Sequence, residues 1–132
     1  MELASKPSAT AQIILVDDDE NVREVAEMVL SGAGYSVRAT GSGFEALRWM
    51  EKEPCHLLIA DLKMPEIDGA TLYSEVLARW PTGGPRILFL SGFADPAAFG
   101  ATLSANGAPV IRKPFSVDDL RSAVTRALTA SV

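Results

Sequence analysis

Three aspartates stand directly after short apolar runs of the sequence. Asp61 ends the run Leu-Leu-Ile-Ala at 57–60, and Asp17 and Asp18 end the run Ile-Ile-Leu-Val at 13–16. Such runs are typical of buried strands. If the two strand ends are neighbours, the three carboxylates repel one another and raise one another's pKa values unless a cation neutralises them. The pattern therefore predicts a divalent cation site, although each acid taken alone is explained at least as well as a cap of the following turn or helix.

Two further polar residues follow apolar runs. Ser91 ends the run at 87–90, and Lys113 comes shortly after Val110 and Ile111. Taken alone, the serine is an ordinary turn residue and the lysine an ordinary surface lysine. The carboxyl ends of parallel strands open at one edge of a sheet, so all these side chains are expected to meet there. A lysine, a hydroxyl and a metal ion would together bind a phosphoryl group. Asp61, in the middle of the site, would be its acceptor.

The composition limits the kind of metal and the kind of partner. The chain has 132 residues, of which 48% are hydrophobic and 22% charged, and this is typical of one globular domain. A net charge of −5 argues against direct binding to a nucleic acid backbone. The single cysteine, Cys55, excludes an internal disulfide, and the single histidine, His56, excludes a multi-histidine metal site. Oxygen ligands favour Mg²⁺, Mn²⁺ or Ca²⁺ over zinc.

The order of predicted elements is a strand followed by a helix, five times over. This order predicts an α/β fold with a parallel sheet, right-handed crossovers and helices on both faces. The predicted helices begin near Glu20, Ser42, Gly69, Asp95 and Ser116. Helical periodicity places Val25, Phe44 and Leu77 among the residues that face the core. We expect a disordered tail over residues 1–11 and one folded domain over residues 12–130. No leader or membrane-spanning run is visible, which favours a cytoplasmic protein without a membrane partner.

Four blocks of the sequence together resemble a known family. They are Val-Asp-Asp-Asp at 16–19, Asp-Leu-Lys-Met-Pro-Glu-Ile-Asp-Gly at 61–69, Leu-Ser-Gly at 90–92 and Lys-Pro-Phe at 113–115. In order and separation they resemble the signature blocks of the receiver domain of two-component response regulators. The resemblance extends from about residue 12 to residue 128. It implies the flavodoxin-like doubly wound (βα)5 fold with strand order 2-1-3-4-5.

The resemblance also implies a function for the cluster. Asp61 would be the phosphoacceptor, taking a phosphoryl group from a phosphohistidine on a sensor histidine kinase or a histidine phosphotransfer protein. The product would be a changed interaction surface, so the chain would be a signalling domain of a phosphorelay rather than an enzyme. Lys113 would pair with the carboxylate and then with the phosphoryl oxygens. Ser91 would hydrogen-bond the phosphoryl group, and the Lys113–Pro114 peptide bond would be cis.

The cofactor implied by the resemblance is Mg²⁺. Asp18 and Asp61 would bind the ion directly, together with the main-chain carbonyl of Lys63. Asp17 would act mostly through a bound water.

The sequence departs from the family pattern at several positions. Receivers commonly have an aromatic residue where this chain has Val110, so we expect signalling to run through the segment from Ser91 to Asp95 and the helix after it. Lys63 and Phe93 would flank the water that attacks the acyl phosphate, and neither is a base, which predicts slow self-dephosphorylation. Two alternatives are an Mg²⁺-dependent aspartyl-phosphate phosphatase and a pseudo-receiver that binds partners unphosphorylated. Lys63 weighs against the phosphatase, which would have a second aspartate there, and the complete set of polar residues weighs against the pseudo-receiver.

Overall fold

A five-stranded parallel sheet forms the centre of the molecule in the computed structural model, which describes residues 11–92 and 108–129. The strands are β1 (Gln12–Val16), β2 (Ser36–Thr40), β3 (Leu57–Asp61), β4 (Arg86–Ser91) and β5 (Val110–Arg112). Their order in the sheet is β2-β1-β3-β4-β5, and every neighbouring pair is parallel. The predicted flavodoxin-like fold and the strand order 2-1-3-4-5 are confirmed.

The described helices alternate with the strands. They are α1 (Glu20–Gly32), α2 (Gly43–Lys52), α3 (Gly69–Arg79) and α4 (Val117–Thr129). Side chains that follow the strands start three of them, because Asp19, Ser42 and Asp68 each accept a hydrogen bond from a main-chain N–H in the first turn. The helix predicted from Asp95 and residues 1–10 of the tail predicted over 1–11 lie outside the described residues. Ala11, the last residue of that predicted tail, is described and is buried.

The sheet separates two apolar cores. Successive side chains of a strand point to opposite faces, so residues of β1, β3 and β4 alternate between the cores. The first core contains Ile14, Val16, Leu58, Ala60, Ile87 and Phe89, packed against α2 and α3. The second core contains Ile13, Leu15, Leu57, Ile59, Leu88 and Leu90, packed against α1 and α4. Every residue of β3 is buried, and this anchors the central strand whose last residue is Asp61.

Three residues predicted to face the core do not. Val25, Phe44 and Leu77 have 47%, 49% and 38% of their surfaces exposed. Each is the chain neighbour of a buried residue, and one position along a helix rotates a side chain by about 100° around the axis. That rotation takes all three off the buried stripe, so the prediction for them was wrong.

Among the described helices, none has the length and apolar character needed to cross a membrane.

Candidate functional site

The predicted acidic residues meet at the carboxyl end of the sheet. Asp17 follows β1 directly, Asp61 is the last residue of β3, and these strands are neighbours in the sheet. One carboxylate oxygen from each of Asp17, Asp18 and Asp61 can be chosen so that all three lie within 4.8 Å of one another. Asp17 and Asp61 are buried, whereas Asp18 is exposed. The cluster therefore has a buried base and one ligand that is open to solvent.

Lys113 closes the cluster from the side of β5. Its Nζ lies 2.7 Å from Oδ2 of Asp17 and donates a hydrogen bond to Oδ2 of Asp61 at 3.0 Å. The main-chain N–H of Lys113 donates to the carbonyl oxygen of Ser91 at 2.7 Å, which joins the loop after β5 to the end of β4. The Lys113–Pro114 peptide bond is cis, as predicted. One ammonium group thus contacts carboxylates from two different strands.

Burial and charge have opposite effects on these groups. Burial raises the pKa of Asp61, the Lys113 hydrogen bond lowers it, and the Asp17 carboxylate raises it further, with a net shift upward. For Lys113 burial acts to lower the pKa, but the carboxylates of Asp17 and Asp61 outweigh burial and raise it. The lysine is therefore held in its charged form. Three carboxylates against one ammonium leave an excess of negative charge, which attracts a cation.

The donor atoms fit a hard divalent cation. Oδ2 of Asp17 is buried and is paired with the Lys113 ammonium at 2.7 Å. Carboxylate oxygens of Asp17, Asp18 and Asp61 lie close enough together to share one ion. The three side chains offer only oxygen, which is the ligand type that Mg²⁺ and Ca²⁺ prefer. The residues present fit the predicted metal.

The loop after β3 holds Asp61 through main-chain contacts. The N–H of Lys63 donates to Oδ1 of Asp61 at 3.3 Å, and the N–H of Leu62 donates to the carbonyl of Leu90 at 2.8 Å. Gly69 comes so close that a Cβ there would lie 2.4 Å from the carbonyl oxygen of Asp61. The loop therefore folds back onto the strand end, and only glycine fits at position 69, where the loop meets α3. The role of the Lys63 carbonyl as a metal ligand stays a prediction.

The loop after β1 holds Asp17 through polar contacts. The N–H of Asp17 donates to the carbonyl of Thr40 at 3.1 Å, and Oδ1 of Asp17 accepts from the N–H of Asp19 at 2.9 Å. Nη1 of Arg23 donates to the carbonyl oxygen of Asp17 at 2.8 Å. The sequence reasoning did not identify Arg23. A signal was available, because a cation in the first turns of a helix opposes the helix dipole and so calls for an explanation.

The remaining predicted residues lie around the cluster. Ser91 is the last residue of β4 and is 2% exposed, so the site brings it to the same edge as Asp61. Val110, where an aromatic residue was noted as common, is 38% exposed. Lys63 is exposed beside the cluster, and Phe93 lies outside the described residues. The roles proposed for these side chains stay predictions.

An open cleft leads from the surface to the cluster. Its polar lining includes Asp18, Asp61 and Lys113. Its apolar lining consists of Val22, Val25, Pro114 and Phe115. The phosphoacceptor candidate Asp61 therefore lies in a cleft that is lined by both charged and apolar side chains.

Comparison with known proteins identifies the family. The family model described as the response regulator receiver domain matches residues 13–125. The response regulator receiver protein CpdR of Brucella abortus is 32% identical over 120 residues, which cover 91% of this chain and 98% of that protein. A crystal structure of a putative response regulator from Chloroflexus aurantiacus has 39% identity and a TM-score of 0.80, covering 90% of this chain and 98% of that one.

Some relatives are far longer than this chain. The sensor kinase CckA of Brucella abortus is 34% identical over 131 residues, which make up 97% of this chain but only 14% of the kinase. The activities of such whole proteins are therefore not assigned to this chain. What the match does show is the domain itself: the chain belongs to the response regulator receiver domain family of two-component systems, a family of phosphoacceptor signalling domains.

Proposed function

We propose that Asp61 accepts a phosphoryl group from a phosphohistidine, with Mg²⁺ bound beside it, and that the modified domain signals through a changed interaction surface. The donor is a sensor histidine kinase or a histidine phosphotransfer protein. One observation carries the proposal: Nζ of Lys113 contacts the carboxylates of Asp17 and Asp61 together, at 2.7 and 3.0 Å. This arrangement is suited to bind a group with three anionic oxygens.

Asp61 is the nucleophile in the proposed step. An oxygen of its carboxylate attacks the phosphorus, an acyl phosphate bond forms, and the bond from phosphorus to the imidazole nitrogen breaks. The electron pair of that bond leaves with the imidazole. Lys113, which already donates to Oδ2 of Asp61, shifts its contact to the phosphoryl oxygens. Ser91 lies at the end of the neighbouring strand, and its hydroxyl donates a hydrogen bond to the same group.

Asp18 and Asp61 are the direct ligands of the proposed metal, with the main-chain carbonyl of Lys63, and Asp17 acts through a bound water. When bound, Mg²⁺ neutralises the carboxylates and the negative charge of the incoming phosphoryl group. A carboxylate oxygen of Asp17 lies within 4.8 Å of oxygens of Asp18 and Asp61, which supports this role. The exposure of Asp18 supports access for the ion from solvent.

The cleft supports a protein donor rather than a small one alone. Val22 and Val25 of α1 and Pro114 and Phe115 beyond β5 line it next to the acids. Val25 is 47% exposed, so a partner can reach it. An apolar wall beside the acceptor carboxylate suits a donor that presents an imidazole from a helical surface.

The direct test uses a small phosphodonor. With acetyl phosphate and Mg²⁺ the intact protein should gain the mass of one phosphoryl group, and omission of Mg²⁺ should abolish the gain. Asp61→Asn should not be modified, whereas Asp68→Asn, a change of the same chemistry in the same loop, should be modified normally. Modification of the Asp61→Asn variant would contradict the assignment.

A second readout separates the phosphatase alternative. A receiver stops after one phosphoryl group per chain, whereas a phosphatase turns over. Continuous release of phosphate from a generic phosphate ester, lost in Asp61→Asn, would show an enzyme instead of a signalling domain.

A further inference from the structure

We infer that Arg23 is a positioning residue for the metal-binding acids, and that Gly41 leaves the space its guanidinium needs. The inference rests on the proposed magnesium site. Nη1 of Arg23 donates to the main-chain carbonyl of Asp17 at 2.8 Å. That carbonyl belongs to the peptide that links Asp17 to Asp18. A group that fixes this peptide fixes the directions in which both carboxylates leave the main chain.

The geometry of α1 aims Arg23 at this peptide. Arg23 is in the first turns of the helix, where its own N–H donates to the carbonyl of Asp19 at 3.1 Å. The Cα–Cβ bonds of a helix tilt toward its N-terminus, so the side chain of Arg23 extends back over the loop that carries the acids. The guanidinium is bound to a carbonyl and leaves the carboxylate oxygens for other partners. Arg23 therefore stabilises the loop without contacting the carboxylate oxygens that would bind the metal.

Asp17 has four polar contacts among the described residues, and Arg23 provides the one from a side chain to its main chain. The carbonyl of Thr40 and the N–H of Asp19 are main-chain partners, and Lys113 contacts the Asp17 carboxylate. Asp17 has none of its surface exposed, so its carbonyl needs a hydrogen-bond partner within the protein. The half-buried Arg23 supplies that partner. Residues that orient metal ligands commonly do so through hydrogen bonds, without binding the metal themselves.

Gly41 supplies the independent observation. It follows β2 directly, and a Cβ at this position would meet Nη1 of Arg23 at 3.0 Å and the carbonyl oxygen of Asp17 at 3.7 Å. The positive-φ glycines of the described residues are Gly34 and Gly83, so the backbone of Gly41 does not itself require glycine. The guanidinium of Arg23 lies beside this position, and a Cβ would displace it by a small shift. An alanine at position 41 would push against the same brace from the opposite side.

The experiment is a titration of the intact protein with Mg²⁺ by calorimetry. Removal of a residue that orients a metal ligand typically weakens metal binding by about 10-fold to 100-fold, and we expect Arg23→Ala to fall at the low end of that range. Arg23→Lys keeps a cationic donor and should recover part of the affinity. Arg121→Ala removes an exposed arginine from α4, remote from the acids, and should bind Mg²⁺ like the wild type.

A double-variant comparison separates positioning from general damage to the fold. Gly41→Ala alone should weaken Mg²⁺ binding, but in the Arg23→Ala background it should have no further effect, because the atom it collides with is gone. An affinity of Arg23→Ala equal to the wild type would overturn the positioning role. Equal effects of Gly41→Ala in both backgrounds would also overturn it. Failure of the wild type to take up Mg²⁺ would instead contradict the proposed metal site itself.

Discussion

Both loops that carry the acids are held by hydrogen bonds, but the loop after β3 also has a steric contact between main chains. In the loop after β1, at 17–19, Asp17 forms hydrogen bonds with Arg23, with the N–H of Asp19 and with the carbonyl of Thr40. In the loop after β3, at 62–68, the close approach of Gly69 to the main chain of Asp61 fixes the phosphoacceptor candidate. Polar contacts can be reset by a change of charge, whereas a steric contact between main chains cannot. We therefore expect the loop after β1 to adapt more readily than the loop that holds Asp61.

Substitution of Gly69 should have the largest effect. Its Cβ would lie 2.4 Å from the carbonyl oxygen and 3.0 Å from the carbonyl carbon of Asp61, so the loop must move. We expect Gly69→Ala to lower the free energy of unfolding by about 3 kcal/mol, measured by urea denaturation, and to slow phosphorylation. Gly32→Ala is the matched control, since a Cβ there meets nothing within 4 Å, and it should be neutral or stabilising. A neutral Gly69→Ala would show that the acceptor loop is as adaptable as the other.

Substitution of Lys113 should affect both loops, because its ammonium group joins them. Its Nζ contacts one carboxylate from each, and Asp17 has none of its surface exposed. Without Mg²⁺, Lys113→Met should lower the free energy of unfolding by about 2 kcal/mol because buried carboxylates lose their cation. Addition of Mg²⁺ should restore part of the loss. Lys52→Met, at an exposed lysine of α2, should change stability little and show no such rescue.

The pH dependence of the Lys113 contribution has a defined sign. The carboxylates of Asp17 and Asp61 outweigh burial and raise the pKa of Lys113 above its ordinary 10.5. A group whose pKa is raised by folding stabilises fully below the unfolded pKa and stops doing so as the pH rises through the folded one. The stability difference between wild type and Lys113→Met should therefore be constant from neutral pH to about pH 10 and shrink above it. A difference that shrinks already between pH 7 and pH 9 would contradict this.

Removal of the helix caps should cost the same stability in both loops. Equal costs would show that capping is not what distinguishes the two loops. Asp19 accepts from the N–H of Asn21 at 2.9 Å, and Asp68 accepts from the N–H of Thr71 at 2.8 Å. Asp19→Ala and Asp68→Ala should each cost about 1 kcal/mol of unfolding free energy. The corresponding asparagine variants keep an acceptor and should cost only a few tenths of that. Asparagine variants as damaging as alanine would show that charge, rather than capping, is responsible.

The smallest effect is expected at Glu66, in the loop after β3. Its φ of 71° lies in the left-handed region that disfavours side chains. Glu66→Gly should relieve this cost and raise the free energy of unfolding by about 0.5 kcal/mol, because the greater freedom of glycine in the unfolded chain offsets part of the gain. Glu53 has an ordinary φ of −140°, so Glu53→Gly should be destabilising instead. Opposite signs for the two glycine variants are the measurable outcome.

The local sequence pattern predicted the structure well where burial of apolar side chains dominates the energetics. β1 and β3 were predictable because continuous apolar runs that end in acids have one good solution, a buried parallel strand with its polar end at the edge of the sheet. The convergence of Asp17, Asp61 and Lys113 followed from the shared direction of the strands. Helix faces were less predictable, because Val25 and Phe44 are apolar yet lie just off the buried stripe. Whether such a residue is covered depends on its neighbours in space.

The sequence by itself determined the βα order, the acidic cluster and the oxygen type of its donor atoms, because these depend on residue type and on the direction that parallel strands share. Only the tertiary structure decided how the cluster is supported. The brace from Arg23 to the carbonyl of Asp17, the space left by Gly41 and the contact of Gly69 with Asp61 each join segments that are held at ångström distances by packing of the whole sheet. No local pattern encodes such distances, because they result from the combined packing of side chains that are far apart in the chain.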